Sequence, residues 1–156
     1  MISPIRWQGD RLLLLDQTLL PVQEMERPYT TWQEVAEAIR TLVVRGAPAI
    51  GVTAAFGVVL AAHASAAREF DELMADLEEA IKGLGATRPT AVNLFWALER
   101  MRRVALAHRQ LPVPALRDRL LAEAQAILDE DVAANRALGA HGATLVPERA
   151  RILTHC

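Results

Sequence analysis

The spacing of apolar residues changes character once along this chain, near residue 30. Before that point the pattern is short and β-like. Trp7-Gln8 leads into a Gly9-Asp10 turn and then Arg11-Leu12-Leu13-Leu14-Leu15-Asp16, with Pro21 and Pro28 punctuating the rest. Residues 4–30 are therefore expected to form a short antiparallel meander. Beyond it the apolar period becomes helical. Thr31-Trp32-Gln33-Glu34 has the form of a capping box, and Val35, Ala38, Ile39 and Leu42 follow on one face. This first helix is expected to end near Val43 or Val44, because Gly46 and Pro48 interrupt it.

A second helix is expected from Pro48, a favoured first-turn residue, to about Ala67. A third covers Phe70 to Lys82 on the stripe Phe70, Leu73, Leu77 and Ile81, ended by Gly83 and Gly85. A fourth runs from Pro89 to about Arg109, and Leu111-Pro112-Val113-Pro114 is a stiff connector. A fifth, long helix runs from Ala115 to about Leu138, stopped by Gly139 and Gly142. After a turn at Pro147-Glu148-Arg149, Arg151-Ile152-Leu153-Thr154-His155-Cys156 reads as a buried strand. A strand following a helix is the order of α/β folds, and its partners must come from outside this sequence. The fold class is thus α+β. A mostly helical domain with a small antiparallel sheet occupies residues 1–112, a long connecting helix and turn residues 113–147, and the first strand of an α/β domain residues 148–156.

Composition narrows the function classes. Apolar residues make up 52% of 156 residues and aromatics only 4%, so the core must be leucine, alanine and valine, which favours helices. A net charge of −2 without a concentrated basic segment argues against nucleic-acid binding by a general basic surface. The single cysteine excludes an internal disulfide, and the N-terminus lacks a signal-peptide layout, so a cytoplasmic location is expected. Ala47 to Ala62 is apolar except for Thr53. As a helix it would reach about 24 Å at 1.5 Å per residue, short of a bilayer core of roughly 30 Å, so a buried helix is expected and no membrane partner.

Three places could carry chemistry. In Arg45-Gly46-Ala47-Pro48 an arginine and a small-residue turn open an apolar helix. Free N–H groups at a helix start attract anions, Gly46 allows close backbone approach, and Arg45 offers a planar donor fork for phosphate. The same residues also suit an ordinary helical turn with a surface arginine. Thr87-Arg88-Pro89-Thr90 repeats the pattern, again open to reading as a cap. Cys156 closes the last strand, at the end where open α/β sheets bind ligands, although most lone cysteines are inert core residues. His155 would point to the opposite face and is not its partner. His63, His108 and His141 have no metal-ligand spacing, and no metal site is expected. Asp129-Glu130-Asp131 reads as a solvated helix face, with Asp131 able to bond Asn135 one turn on.

Taken in order, four segments resemble the N-terminal portion of the isomerase branch of the initiation-factor-2B-related family: Val44-Arg45-Gly46-Ala47-Pro48-Ala49-Ile50-Gly51, Thr87-Arg88-Pro89-Thr90-Ala91-Val92-Asn93-Leu94, Glu130-Asp131 with Asn135-Arg136, and Leu153-Thr154-His155-Cys156. The first is common to the superfamily; the second and last favour the isomerases over the regulatory subunits. The resemblance implies conversion of 5-methylthioribose 1-phosphate to 5-methylthioribulose 1-phosphate in methionine salvage, without metal or organic cofactor. It implies a homodimer of two-domain subunits whose second domain is Rossmann-like. It implies substrate contacts at Arg45, Gly46, Ala47 and Arg88 and a catalytic role for Cys156. The family's acid, an aspartate, and an Asn-Lys pair lie later in the family's sequence. This chain is therefore expected to be an N-terminal part, inactive alone. A non-catalytic, ligand-sensing relative of the regulatory subunits and a ribose-1,5-bisphosphate isomerase are the alternatives.

Overall fold

The computed structural model describes residues 3–154. Its first three elements are the expected meander: β1 (Ile5–Gln8), β2 (Arg11–Leu15) and β3 (Glu26–Tyr29), antiparallel in the order β1-β2-β3. Trp7 pairs with Leu12, and Leu13 with Pro28. Pro28 lacks an amide donor and is tolerated because β3 is an edge strand. The middle strand is the apolar one, with Leu12 to Leu15 all buried.

Five helices follow: α1 (Trp32–Arg40), α2 (Ala47–Ala64), α3 (Phe70–Gly85), α4 (Val92–Ala107) and α5 (Val113–Ala143). The capping box at α1 is complete. Thr31 Oγ1 accepts from the Glu34 amide at 3.2 Å, and Glu34 Oε2 accepts from the Thr31 amide at 3.0 Å. At its other end α1 stops at Arg40, short of Val43. Thr41 turns its hydroxyl back to the Glu37 carbonyl at 2.8 Å, and the Val43 and Leu42 amides reach back to the Ala38 and Ile39 carbonyls. That is a Schellman closure. It holds Leu42, rather than a glycine, at φ 65°.

Helix α2 is the axis of the fold. Its residues Ile50 to Ala62 are buried on every side, with α1, α3, α4, α5 and β1 packed around it. This explains why the longest apolar run of the sequence has no polar face. Trp7 of β1 stacks on Phe56 of α2, ring centroids 5.6 Å apart, which seats the sheet against the bundle. A second tie is polar. Asp16, buried at the end of β2, accepts from Thr18 Oγ1 at 2.6 Å and from Arg27 Nε at 2.7 Å, and the Gln17 amide donates to the Val43 carbonyl at 3.0 Å. The sheet is thereby anchored to the loop that leads into α2.

Several expected boundaries move. Gly83 and Gly85 lie inside α3, which runs on to Gly85, where residue 83 faces the Trp32 ring and residue 85 faces Phe95. Helix α4 starts at Val92, not Pro89. Arg88 to Ala91 instead form a turn in which the Arg88 carbonyl accepts from the Ala91 amide at 3.0 Å, and Pro89 takes the turn position its fixed φ suits. Helix α5 continues through Gly139 and Gly142 to Ala143. Its buried stripe, Val113, Leu116, Leu120, Ala124 and Ile127, ends well before that, and residues 132–150 are exposed. The expected final strand is not formed at residues 151–154, which are exposed and irregular. Among the described residues no strand lies beside them, and an unpaired strand leaves its backbone donors and acceptors without a ladder. His155 and Cys156 lie outside the described residues.

One close approach fixes the geometry used below. A Cβ placed on Gly51 would sit 2.7 Å from the Asn93 carbonyl oxygen of α4. Gly51→Ala is therefore expected to destabilise the fold by about 2 kcal/mol, the strain of overpacking outweighing alanine's helix preference. Gly139→Ala, where an added Cβ meets nothing within 4 Å, should stabilise by up to about 1 kcal/mol. Denaturant unfolding of the two variants beside the parent checks both signs.

Candidate functional site

The contact between Gly51, one turn into α2, and Asn93, in the first turn of α4, brings the N-terminal ends of the two helices near each other. Both starts are open. Gly46, the N-cap of α2, adopts φ 98°, which an L side chain rarely takes, and gives no side-chain cap. Ala91, the N-cap of α4, gives none either. First-turn amides at both helices therefore have no side-chain acceptor, and the positive ends of two helix dipoles lie together. Arg45 is exposed just before α2, and Arg88 is half-buried in the turn before α4. Neither side chain makes a hydrogen bond or ion pair among the described residues. Thr87 is not an α4 cap; it is buried, and its hydroxyl donates to the Leu84 carbonyl at 2.6 Å to finish α3.

Beside these two helix starts lies a cavity of about 380 Å³. Pro48, Gly51 and Val52 of α2, Val92, Asn93 and Trp96 of α4, and Ile127, Glu130 and Asp131 of α5 line it. Arg45, Gly46, Ala47 and Arg88 do not line it; they belong to the segments that enter its walls. A wider groove of about 960 Å³ runs between α3 and α4 on the other side of the Arg88 turn. It carries Glu78, Glu79 and Glu99 against Lys82 and Arg102, a poorer setting for an anion.

The α5 wall is held by a network that the sequence did not reveal. Arg100 Nε donates to Glu123 at 2.6 Å, and its two terminal nitrogens donate to Glu130 at 2.5 and 2.8 Å. Arg119 donates to the other Glu123 oxygen at 2.6 Å. The Arg100 guanidinium also lies 5.4 Å from the centre of the Trp96 ring, a cation–π contact. Hydrogen bonding to Glu130 holds the Arg100 guanidinium above its ordinary value. Burial pushes Glu123 up, but its two arginines outweigh that and hold it below the ordinary carboxylate range. The bond from Arg100 holds Glu130 low as well. Glu130 is exposed, as expected of that helix face, but it is paired with Arg100. Asp131 does bond Asn135 Nδ2, at 3.1 Å, as its spacing suggested. One signal in the sequence was usable: Glu123 interrupts the apolar stripe of α5, and a charge on a buried face calls for a partner.

Among the described residues no group of three or more His, Cys, Asp or Glu is placed to hold a metal. His63 lies edge-on to Trp7, 5.8 Å between ring centres, and burial lowers its pKa. It is exposed near the end of α2 and does not line this cavity.

The Arg100 network generates a pH prediction. Glu123 and Glu130 have lowered pKa values in the fold, so their contribution is complete above the unfolded value of about 4.5 and is lost as pH falls through the lowered values. Arg100→Ala should cost about 1–3 kcal/mol at neutral pH, mostly by leaving buried Glu123 with Arg119 as its single partner. The difference from the parent should shrink below about pH 4.5 as the two glutamates are protonated and the lost bonds cease to matter. Unfolding curves at several pH values measure that closing gap.

Comparison with known proteins places the chain in a family and matches its overall fold. The family model described as "Initiation factor 2 subunit family" matches residues 43–156. Methylthioribose-1-phosphate isomerase of Geobacter sp. (strain M21) is 52% identical over 97% of this chain and 44% of its own length. The enzyme of that name in Heliobacterium modesticaldum is 53% identical over 99% of this chain and 45% of its own. The crystal structure of 5-methylthioribose 1-phosphate isomerase from Pyrococcus horikoshii OT3 superposes with a TM-score of 0.91 at 39% identity, over 95% of this chain and 42% of that one. Translation initiation factor eIF-2B, subunit delta, from A. fulgidus gives 0.86 at 40% identity, over 94% and 42%. The chain spans less than half the length of these relatives. By sequence and by fold, the chain belongs to the initiation factor 2 subunit family.

Proposed function

We propose that this chain supplies the anion-binding half of the substrate site of a methylthioribose-1-phosphate isomerase. The observation that carries this reading is the pair of open helix starts locked together at Gly51 and Asn93, each preceded by an arginine without an internal partner. Identity to enzymes of that name, 52% over 97% of the chain, supports the substrate. The alternative of a ligand-sensing relative has the eIF-2B delta structure on its side, and an activity measurement separates the two.

The chemistry suits these residues. A phosphate on the anomeric oxygen stops the sugar ring from opening freely. Ring opening then needs an acid at the ring oxygen, followed by movement of hydrogen from C2 to C1. The phosphate stays bound throughout, so amides of the first turn of α2 and the two guanidinium groups serve to hold it while charge shifts at the carbons. Cys156, which lies outside the described residues, enters this proposal on family resemblance as a group assisting the hydrogen transfer. A Rossmann-like domain supplying the acid, and assembly as a cytoplasmic homodimer, belong to the same reading; the greater length of the relatives leaves room for that domain.

In the full-length enzyme carrying these residues, Arg45→Ala and Arg88→Ala should each weaken binding of 5-methylthioribose 1-phosphate by about 1.5–3 kcal/mol, or roughly ten- to hundredfold. Lysine at either position should restore only part of this, because it lacks the planar fork. Calorimetric titration and a turnover assay decide the point. Normal binding by both alanine variants would make the arginines structural, and tight binding without turnover in the parent enzyme would favour the ligand sensor.

A further inference from the structure

Helix α4 has two apolar faces, and the bundle covers only one. Leu94, Ala97, Leu98, Met101 and Ala105 pack into the core. On the opposite side Val92, Phe95, Trp96 and Leu106 are 78%, 46%, 48% and 47% exposed. With Glu99 and Arg103, both exposed, they recur every three or four residues and form one stripe along the outer side of the helix. From Val92 to Leu106 the stripe runs about 21 Å at 1.5 Å per residue. Two aromatic side chains on one solvent face stand out in a chain that is only 4% aromatic. Depressions flank the stripe on both sides. The 960 Å³ groove lies beside Phe95 and Glu99, and another of about 430 Å³ lies beside Trp96 and Arg103. A ridge between two hollows is a shape that a second helix can pack against.

We propose that this stripe is a dimerisation face whose occupant is a second copy of the chain, the two α4 helices crossing antiparallel about a twofold axis at Glu99. The charges select that occupant. Glu99 is the midpoint of the stripe, so the twofold sets one copy's Val92 against the other's Leu106, and one copy's Phe95 against the other's Arg103. Glu99 is held by Arg102 at 3.0 Å, whereas Arg103 has no hydrogen-bond or ion-pair partner among the described residues. In the pair, Arg103 lies over the opposing Phe95 ring and within a turn of the opposing Glu99. Trp96 already has Arg100 over its ring; Phe95 is the aromatic of the stripe still open to a cation. A parallel pair would instead set Arg103 beside Arg103 and leave both Phe95 rings without one. A contact along one helix lies at the small end of specific interfaces, roughly 1,000 Å² in total, so a dimer of micromolar affinity is expected. The contact belongs to this chain alone and does not depend on the isomerase reading.

Sedimentation of this chain over a range of concentrations tests the face. The parent should pass from monomer to dimer in the micromolar range. Leu106→Glu and Arg103→Glu should each weaken the dimer by about tenfold or more, with circular dichroism unchanged because both positions are exposed. Adding Glu99→Arg to Arg103→Glu should recover part of the loss, since the exchange restores opposite charges across the axis; a merely structural role for Arg103 predicts no recovery. Leu138→Glu, on the exposed end of α5, should leave the dimer unchanged. A chain that stays monomeric or grows beyond two copies overturns the proposal. So does a dimer that withstands both α4 variants or is lost with Leu138→Glu. Each of these results leaves the isomerase reading standing.

Discussion

Helix α2 can lie against the first turn of α4 only because residue 51 has no side chain. The Asn93 carbonyl occupies the space that a Cβ would need, and the rest of the arrangement follows from that contact. It makes the open, positive ends of two helices neighbours, although Gly46 and Ala91 are 45 positions apart in the chain. It also sets the width of the cavity between α2, α4 and α5. The enclosing apolar bundle makes the contact durable: α2 is buried on all sides, so it has no second position in which to relax.

The electrostatics are arranged in two layers. Arg45 and Arg88 are left without internal partners beside the helix starts. Arg100 and Arg119 are fully engaged, their charges spent on Glu123 and Glu130. A partnered arginine stiffens a wall, and an unpartnered one remains available to an incoming anion. Because Glu130 is neutralised by Arg100, its carboxylate at the cavity wall repels a nearby phosphate far less than an isolated charge would.

Much of the helical scaffold was legible because its signals are local. The capping box at Thr31 and Glu34, the stripe of α3 and the all-round apolarity of α2 each specify structure within a few residues. So does the pairing of Asp131 with Asn135. What was not legible depends on distant contacts. Gly83 read as a helix stop, yet Trp32 lies over it and the helix continues to Gly85. Pro89 read as a helix start, yet the Arg88 carbonyl closes a turn first. Glu130 is exposed as read, but its pairing was not legible because its partner Arg100 is 30 residues earlier. The strand expected from residue 151 onward needed neighbours that the described residues do not contain. At the site, Arg45 and Arg88 were visible as a repeated arginine-before-proline pattern, whereas the Trp96 wall was not, since nothing in the sequence ties Trp96 to Ile127.

The central claim is that the two helix starts act as one anion site. Backbone amide NMR of this chain, titrated with inorganic phosphate, tests it directly. The account predicts that the amides of Ala47 and Ala49 and those of Val92 and Asn93 shift together, along one saturation curve, and that Gly51→Ala uncouples them. Shifts confined to one helix start, two separate saturation curves, or no shift at either start would contradict it.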